Sequence, residues 1–312
     1  MADATTPLLP GPPAKGSSDS HPIFLRACHS PWRWINQSVL TLFRFVISAY
    51  LLVVMSFSLK YKLEMEDDHT RWRIPFQFSS VAFILLLLYN LQVTVWTFMH
   101  LVLPKELAED PAECHGHQFR NKVINAFLPP SRTRYGGYNH RFWFSLFYTV
   151  SHVFTFMNTI IYWAVLVPAG HGGFEPPKAP HRHPHAPDNS TVAGYDPHKG
   201  LFEEGHLKAY SIINLWSITS VIALLEILLF NSIRRQTPIV GHVAGTALAS
   251  LGKLVTGHAG LFFLDPDLMG DTHGAAFAAS FLFVTLAPGI FAYMYGLIAM
   301  RESMSAIHET SQ

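Results

Sequence analysis

Five stretches of this chain are apolar over lengths that a helix needs to cross a hydrocarbon core of about 30 Å. They cover roughly residues 34–59, 74–103, 142–168, 209–230 and 275–300. Lipid offers no hydrogen bonds to a backbone, so such segments must satisfy their own amides, and helices do so within one segment. The predicted fold is therefore all-α, a polytopic membrane helix bundle. Composition agrees, because only 14% of residues are charged, against about a quarter in soluble domains. A weaker segment, 238–264, carries His242, Lys253 and His258. Its Gly- and Ala-rich run GHVAGTALASLG suits close helix packing, giving six transmembrane helices, or five without it.

Residues 1–33 are rich in Pro, Ser and Gly and hold no apolar core of the kind a signal peptide carries. They read as a disordered cytosolic tail, followed by the bundle over 34–301 and a short second tail over 302–312. No internal repeat is visible. Cys28 and Cys114 are too few for a disulfide framework. Cys28 lies close enough to the first span for S-palmitoylation to be considered, although an unmodified thiol is the simpler expectation. A formal net charge of +1 offers no basic field for nucleic acid.

Lysines and arginines set the expected orientation. With the N-terminus in the cytosol, 12 lie in cytosolic segments and 8 on the opposite side, with Arg44 and Lys253 inside spans. The same orientation makes the 169–208 loop lumenal, where Asn189-Ser190-Thr191 forms an N-glycosylation sequon. Both termini are then cytosolic, in the endoplasmic reticulum or another endomembrane rather than the plasma membrane. The loop is also rich in His and Pro, with His171, His181, His183 and His185. It lacks the cysteines and fixed spacing of a metal site, so it reads as a solvated linker, and neither a metal nor a cofactor is expected.

Ionisable groups inside spans are expensive and stand out for that reason. Arg44, His152 and Glu226 fall toward the cytosolic half of their helices, at depths that let Arg44 and Glu226 meet as an ion pair. A buried polar cluster that fixes helix packing is the plainest reading of the three. On the lumenal side Ser79, Ser80, Trp216 and His258 fall at one depth, about 8–11 Å in from the helix ends at 1.5 Å per residue. A hydroxyl with a nearby imidazole is the arrangement of a nucleophile and its base. Membrane serines that bond their own helix backbone are the commoner outcome.

Three short stretches together resemble the androgen-induced family of multi-pass membrane hydrolases, and almost as well the rolling-stone-like membrane proteins. TRWRIPFQFSS (70–80) is similar to that family's aromatic cluster before a threonine nucleophile, which here aligns with Ser80. Tyr162-Trp163 resembles a second motif. INLWSITSVIALLEILLF (213–230) resembles a third, in which a histidine stands ten residues before an acid; here the acid is Glu226 and Trp216 takes the histidine position. The resemblance implies a hydrolase of fatty acid esters of hydroxy fatty acids, with membrane lipids around it and a fatty-acid ester as substrate. Serine keeps the hydroxyl, but an indole N–H cannot accept a proton, so the implied base is missing and His258 is the candidate to replace it. A catalytically silent relative that binds lipid or protein fits the same residues. A small transporter using Arg44, His152, Glu226 and Lys253 is a third reading, weakened by the lack of inverted repeats. Oligomeric state is not readable from the sequence.

Overall fold

The computed structural model describes residues 23–32, 34–65, 71–102, 138–167, 206–234 and 273–310, and no strand occurs among them. Helix α1 spans Ile23–Cys28 and α2 spans Gln37–Met65. A 3-10 turn over Arg71–Phe76 leads into α3, Phe78–Val102. Helix α4 runs over Tyr138–Ile160 and continues as a π-helical turn, Ile161–Leu166. Helix α5 spans His206–Phe230. It contains two π-helical turns, Asn214–Ile218 and Glu226–Phe230. Helix α6 covers His273–Thr310. Among the described residues, four segments are long and apolar enough to cross a membrane: Gln37–Glu64, Phe78–Val102, Phe142–Ala164 and His206–Phe230. The fold is thus all-helical and of the integral membrane type. The predicted 238–264 span and the 169–208 loop lie outside the described residues.

Helix α2 shows why the bundle belongs in lipid. Leu42, Phe43, Phe45, Val46, Leu52 and Val53 are exposed, whereas Arg44, Ser48, Ser58 and Lys62 are buried. Apolar outside and polar inside reverses the pattern of a helix on a water-soluble protein. An exposed apolar surface of this extent needs a cover, and acyl chains supply one. Inside, α3 contributes Leu86, Tyr89, Val93 and Trp96 at helical spacing to a core shared with Phe144, Tyr148, Val153 and Met157 of α4. Ala223 and Ile227 of α5 and Ile290, Met294 and Ile298 of α6 complete it. Several hydroxyls in the spans bond back to their own helix, as Thr41, Thr97, Thr149, Thr155 and Thr219 do to the carbonyl four residues earlier.

The N-terminal region departs from its expected disorder over its last part. Ile23–Cys28 is helical, and Phe24, Ala27 and Cys28 are buried. The cause is the apolar run IFLRAC: Phe24 packs edge-on against Trp96, with centroids 5.6 Å apart, and tilted against Phe144 at 5.3 Å. Cys28 is fully buried and its Sγ donates to the Phe24 carbonyl at 3.2 Å. That burial favours the unmodified thiol over a palmitoylated one.

Candidate functional site

Two polar sites lie on one face of α2. Arg44 and Lys62 are eighteen residues apart, which is five helical turns, so they share a face about 27 Å apart along the axis. Each anchors a different end of the bundle.

At the first end Arg44 is 1% and Glu226 2% exposed, and Nη2 lies 2.9 Å from Oε1. The same guanidinium donates to the Phe230 carbonyl at 2.7 Å and to the Thr97 hydroxyl. The Tyr89 hydroxyl donates to the same Glu226 oxygen at 3.1 Å. His152, from α4, sets its ring edge-on to Tyr89 with centroids 4.9 Å apart. Its Nδ1 lies 2.8 Å from the Tyr148 carbonyl oxygen, so Nδ1 carries the proton and Nε2 is left as an acceptor. That Nε2 is buried and has no hydrogen-bond partner among the described residues.

Around this pair the end of α5 is capped from three directions. A helix leaves its last carbonyls without partners and carries a negative dipole end there. Arg301 of α6, 1% exposed, donates from Nη1 to the Ile227 and Asn231 carbonyls at 2.7 Å and from Nη2 to Ile233. From the N-terminal segment, Trp32 Nε1 reaches the Leu228 carbonyl at 2.9 Å and Ser30 Oγ the Leu229 carbonyl at 2.7 Å. With Arg44 on Phe230, two cations and two neutral donors from three separate segments close one helix end.

At the second end Lys62, 5% exposed, directs Nζ at Ser80 Oγ (2.8 Å), Gln77 Oε1 (2.8 Å) and Ser79 Oγ (3.1 Å). Ser79 and Ser80 thus bond across to α2, as Thr94 does through Ser48. Both sit in the first turn of α3, where backbone N–H groups and the positive dipole end favour a developing oxyanion. As an ammonium, Lys62 gives one N–H to each oxygen. As a neutral amine it gives two, to Gln77 and Ser79, and its lone pair takes the Ser80 proton. The three contacts serve either protonation state.

Trp216 lies deeper, in the first π turn of α5. It stacks on Tyr162 with centroids 4.1 Å apart and an interplanar angle of 9°, in an apolar cluster with Leu51, Val54, Phe83 and Leu87. Tyr162 itself stands in the π turn of α4, so two widened turns face each other. The Leu215 carbonyl beside them takes the Asn158 amide at 3.1 Å, and the neighbouring Trp163 indole donates to Ser217 Oγ at 3.0 Å. Glu226 opens the second π turn of α5. Single π turns inside α-helices occur often at functional sites, and here they carry Tyr162, Trp163, Trp216 and Glu226.

The four residues expected at a common lumenal depth thus divide. Ser79 and Ser80 share a site with Lys62, and Trp216 packs on Tyr162. His258, together with Lys253 and Asn189, lies outside the described residues. Sequence reading placed Lys62 beyond the end of the first span and so overlooked it, yet its five-turn spacing from Arg44 was available. Tyr89, Thr97, Gln77 and Arg301 were missed as well and gave no such signal. Among the described residues no three His, Cys, Asp or Glu side chains converge as a metal site. No protein family, curated protein or solved structure matches the chain.

Proposed function

We propose that the protein is a membrane-embedded ester hydrolase in which Ser80 is the nucleophile and Lys62 its proton acceptor. The observation that carries this reading is the 2.8 Å contact between Lys62 Nζ and Ser80 Oγ. Serine with lysine as base is a recurrent alternative to the serine–histidine pair, and a desolvated lysine can act in that way. In the reaction Ser80 Oγ attacks the ester carbonyl carbon while its proton passes to Lys62. The alcohol leaves with that proton, and water then releases the acid and restores the serine. Lys62 fills the role that the histidine has in the family the sequence resembles, so Trp216 is free to pack. The substrate is a lipid ester entering from the bilayer, next to the apolar cluster of Phe83, Leu87 and Trp216.

The reading includes six spans with both termini in the cytosol, which puts the Lys62–Ser80 end at the lumenal face of an endomembrane. Arg44, Glu226 and the arginine-capped helix end then face the cytosol.

A silent, lipid- or protein-binding relative is the second reading. The three oxygens around Lys62 favour it, because they suit a permanent ammonium that clamps α2 to α3. Labelling of the purified protein by a fluorophosphonate separates the two. The hydrolase reading expects labelling of wild type and none of Ser80→Ala; an unlabelled wild type that is folded beside a reactive control hydrolase supports the clamp.

A further inference from the structure

The segment 23–32 closes the end of the bundle over the Arg44–Glu226 pair, and hydrogen bonds tie it to the end of α5. That hold includes Ser30 Oγ on the Leu229 carbonyl and Trp32 Nε1 on the Leu228 carbonyl, and just past the helix Ser232 N and Oγ on the Arg26 carbonyl, both at 2.9 Å. Ser30 is half-buried and also accepts the Trp32 backbone N–H at 3.1 Å. It stands directly before Pro31, with Arg33 two residues further on, the sequence pattern that proline-directed kinases read.

We propose that Ser30 is a phosphorylation site, and that its phosphate releases residues 23–32 from the end of α5 and uncovers the Arg44–Glu226 pair. In the transfer, Ser30 Oγ bonds to the terminal phosphorus of ATP, the bridging P–O bond breaks, ADP leaves and the hydroxyl proton passes to the kinase base. The bond to Leu229 needs that proton, and a phosphate of charge about −1.5 to −2 has none to give at neutral pH. The dianion instead meets the Leu228 and Leu229 carbonyl oxygens at the negative end of a helix, where added negative charge disrupts. Pro31 has no N–H with which to replace the lost donor. The kinase takes the segment in its transiently opened form, as it must, since a half-buried hydroxyl bonded to a carbonyl is not presented to an enzyme. This inference uses the cytosolic placement of the N-terminus given above but not the hydrolase reading.

Cys28 reports the opening directly, because it is fully buried and lies on the segment that leaves. The full-length protein carrying Cys114→Ser is purified in detergent and treated with a proline-directed kinase and ATP. Phosphate on Ser30 is located by mass spectrometry, and the rate at which a maleimide modifies Cys28 is followed. Slow labelling before phosphorylation and labelling at least about tenfold faster after it are expected, about 1.4 kcal/mol in the opening equilibrium. Ser30→Asp is expected to label faster without kinase. Ser30→Ala is expected to take up no phosphate. Full phosphorylation with unchanged or slower labelling would mean that the arginines around the turn grip the phosphate, and it would overturn the release. Lack of phosphate at Ser30, when a free peptide of residues 23–36 is phosphorylated, overturns the site itself.

Discussion

At the scale of single residues, the Arg44–Glu226 pair depends on each charge keeping its counter-charge. Two charges out of water offset their desolvation only where hydrogen bonds support them; Thr97 and Phe230 accept from the guanidinium and Tyr89 donates to Glu226, while Arg44 Nε is buried with no partner among the described residues. Glu226→Ala leaves the arginine buried without its counter-charge, and a loss of about 3–5 kcal/mol is expected, read as a lower melting temperature in detergent. Arg44→Met with Glu226→Leu removes both charges and is expected to recover most of that loss. Cys28 gives a pH signature of its own. Burial pushes its thiol up to about 12 from an ordinary 9.0, against the opposing pull of Arg44 and Thr97. A raised thiol favours the folded state while the unfolded chain keeps its proton. Its contribution is therefore whole below pH 9 and declines as pH climbs toward 12. Alkylation of Cys28 is expected to stay slow from pH 7 to 9, where an ordinary thiol speeds up with each pH step; a rate that tracks thiolate formation near pH 9.0 would show the thiol exposed.

At the scale of elements, the π turns of α5 set which residues face inward. Each adds one residue to the helix and turns everything beyond it by about 100°. Deleting one residue within Asn214–Ile218 is expected to close the π turn to an α turn, keep Glu226 facing Arg44 and break the Trp216–Tyr162 stack, lowering the melting temperature more than Trp216→Phe does. A deletion variant as stable as wild type would show that the turn is a tolerated irregularity. These turns also mark where the sequence stopped being legible. Hydropathy identifies long apolar helices and even their depth, which is why Arg44 and Glu226 appear as a potential pair from residue spacing alone. Nothing in NLWSI or EILLF signals a widened turn, because the local propensities suit an ordinary helix equally well. Lys62 escaped notice for another reason: helix α2 continues to Met65, past the point where its apolar character fades. Arg301 stands one residue beyond the apolar run that ends α6's predicted span, where a cation looks solvated rather than buried. The fold class was legible; the partners of Ser80 were not.

At the scale of the whole molecule, the arrangement has two polar ends joined by apolar packing, with α2 contributing a cation to each. The arginine-rich end holds Arg44 and Arg301 against the carbonyls of α5. Glycosylation tests the orientation in cells. Asn189 is expected to carry a glycan, so glycosidase treatment should increase gel mobility, and Asn189→Gln should run as the treated form. A native Asn189 that is never modified, beside a sequon engineered near the N-terminus that is, would reverse the topology and put the Ser80 end in the cytosol.

Whether Lys62 takes the proton of Ser80 is tested by Lys62→Arg. Arginine keeps the positive charge and the hydrogen-bond donors but does not give up its proton in proteins. The measurement is the initial rate of fluorophosphonate labelling of Lys62→Arg beside wild type, with both shown folded by matching melting temperatures. If Lys62 is the base, labelling is expected to fall by about 10²–10⁴, the usual worth of acid–base assistance. Labelling that survives the exchange at close to the wild-type rate would contradict the account and leave Lys62 as a clamp between α2 and α3.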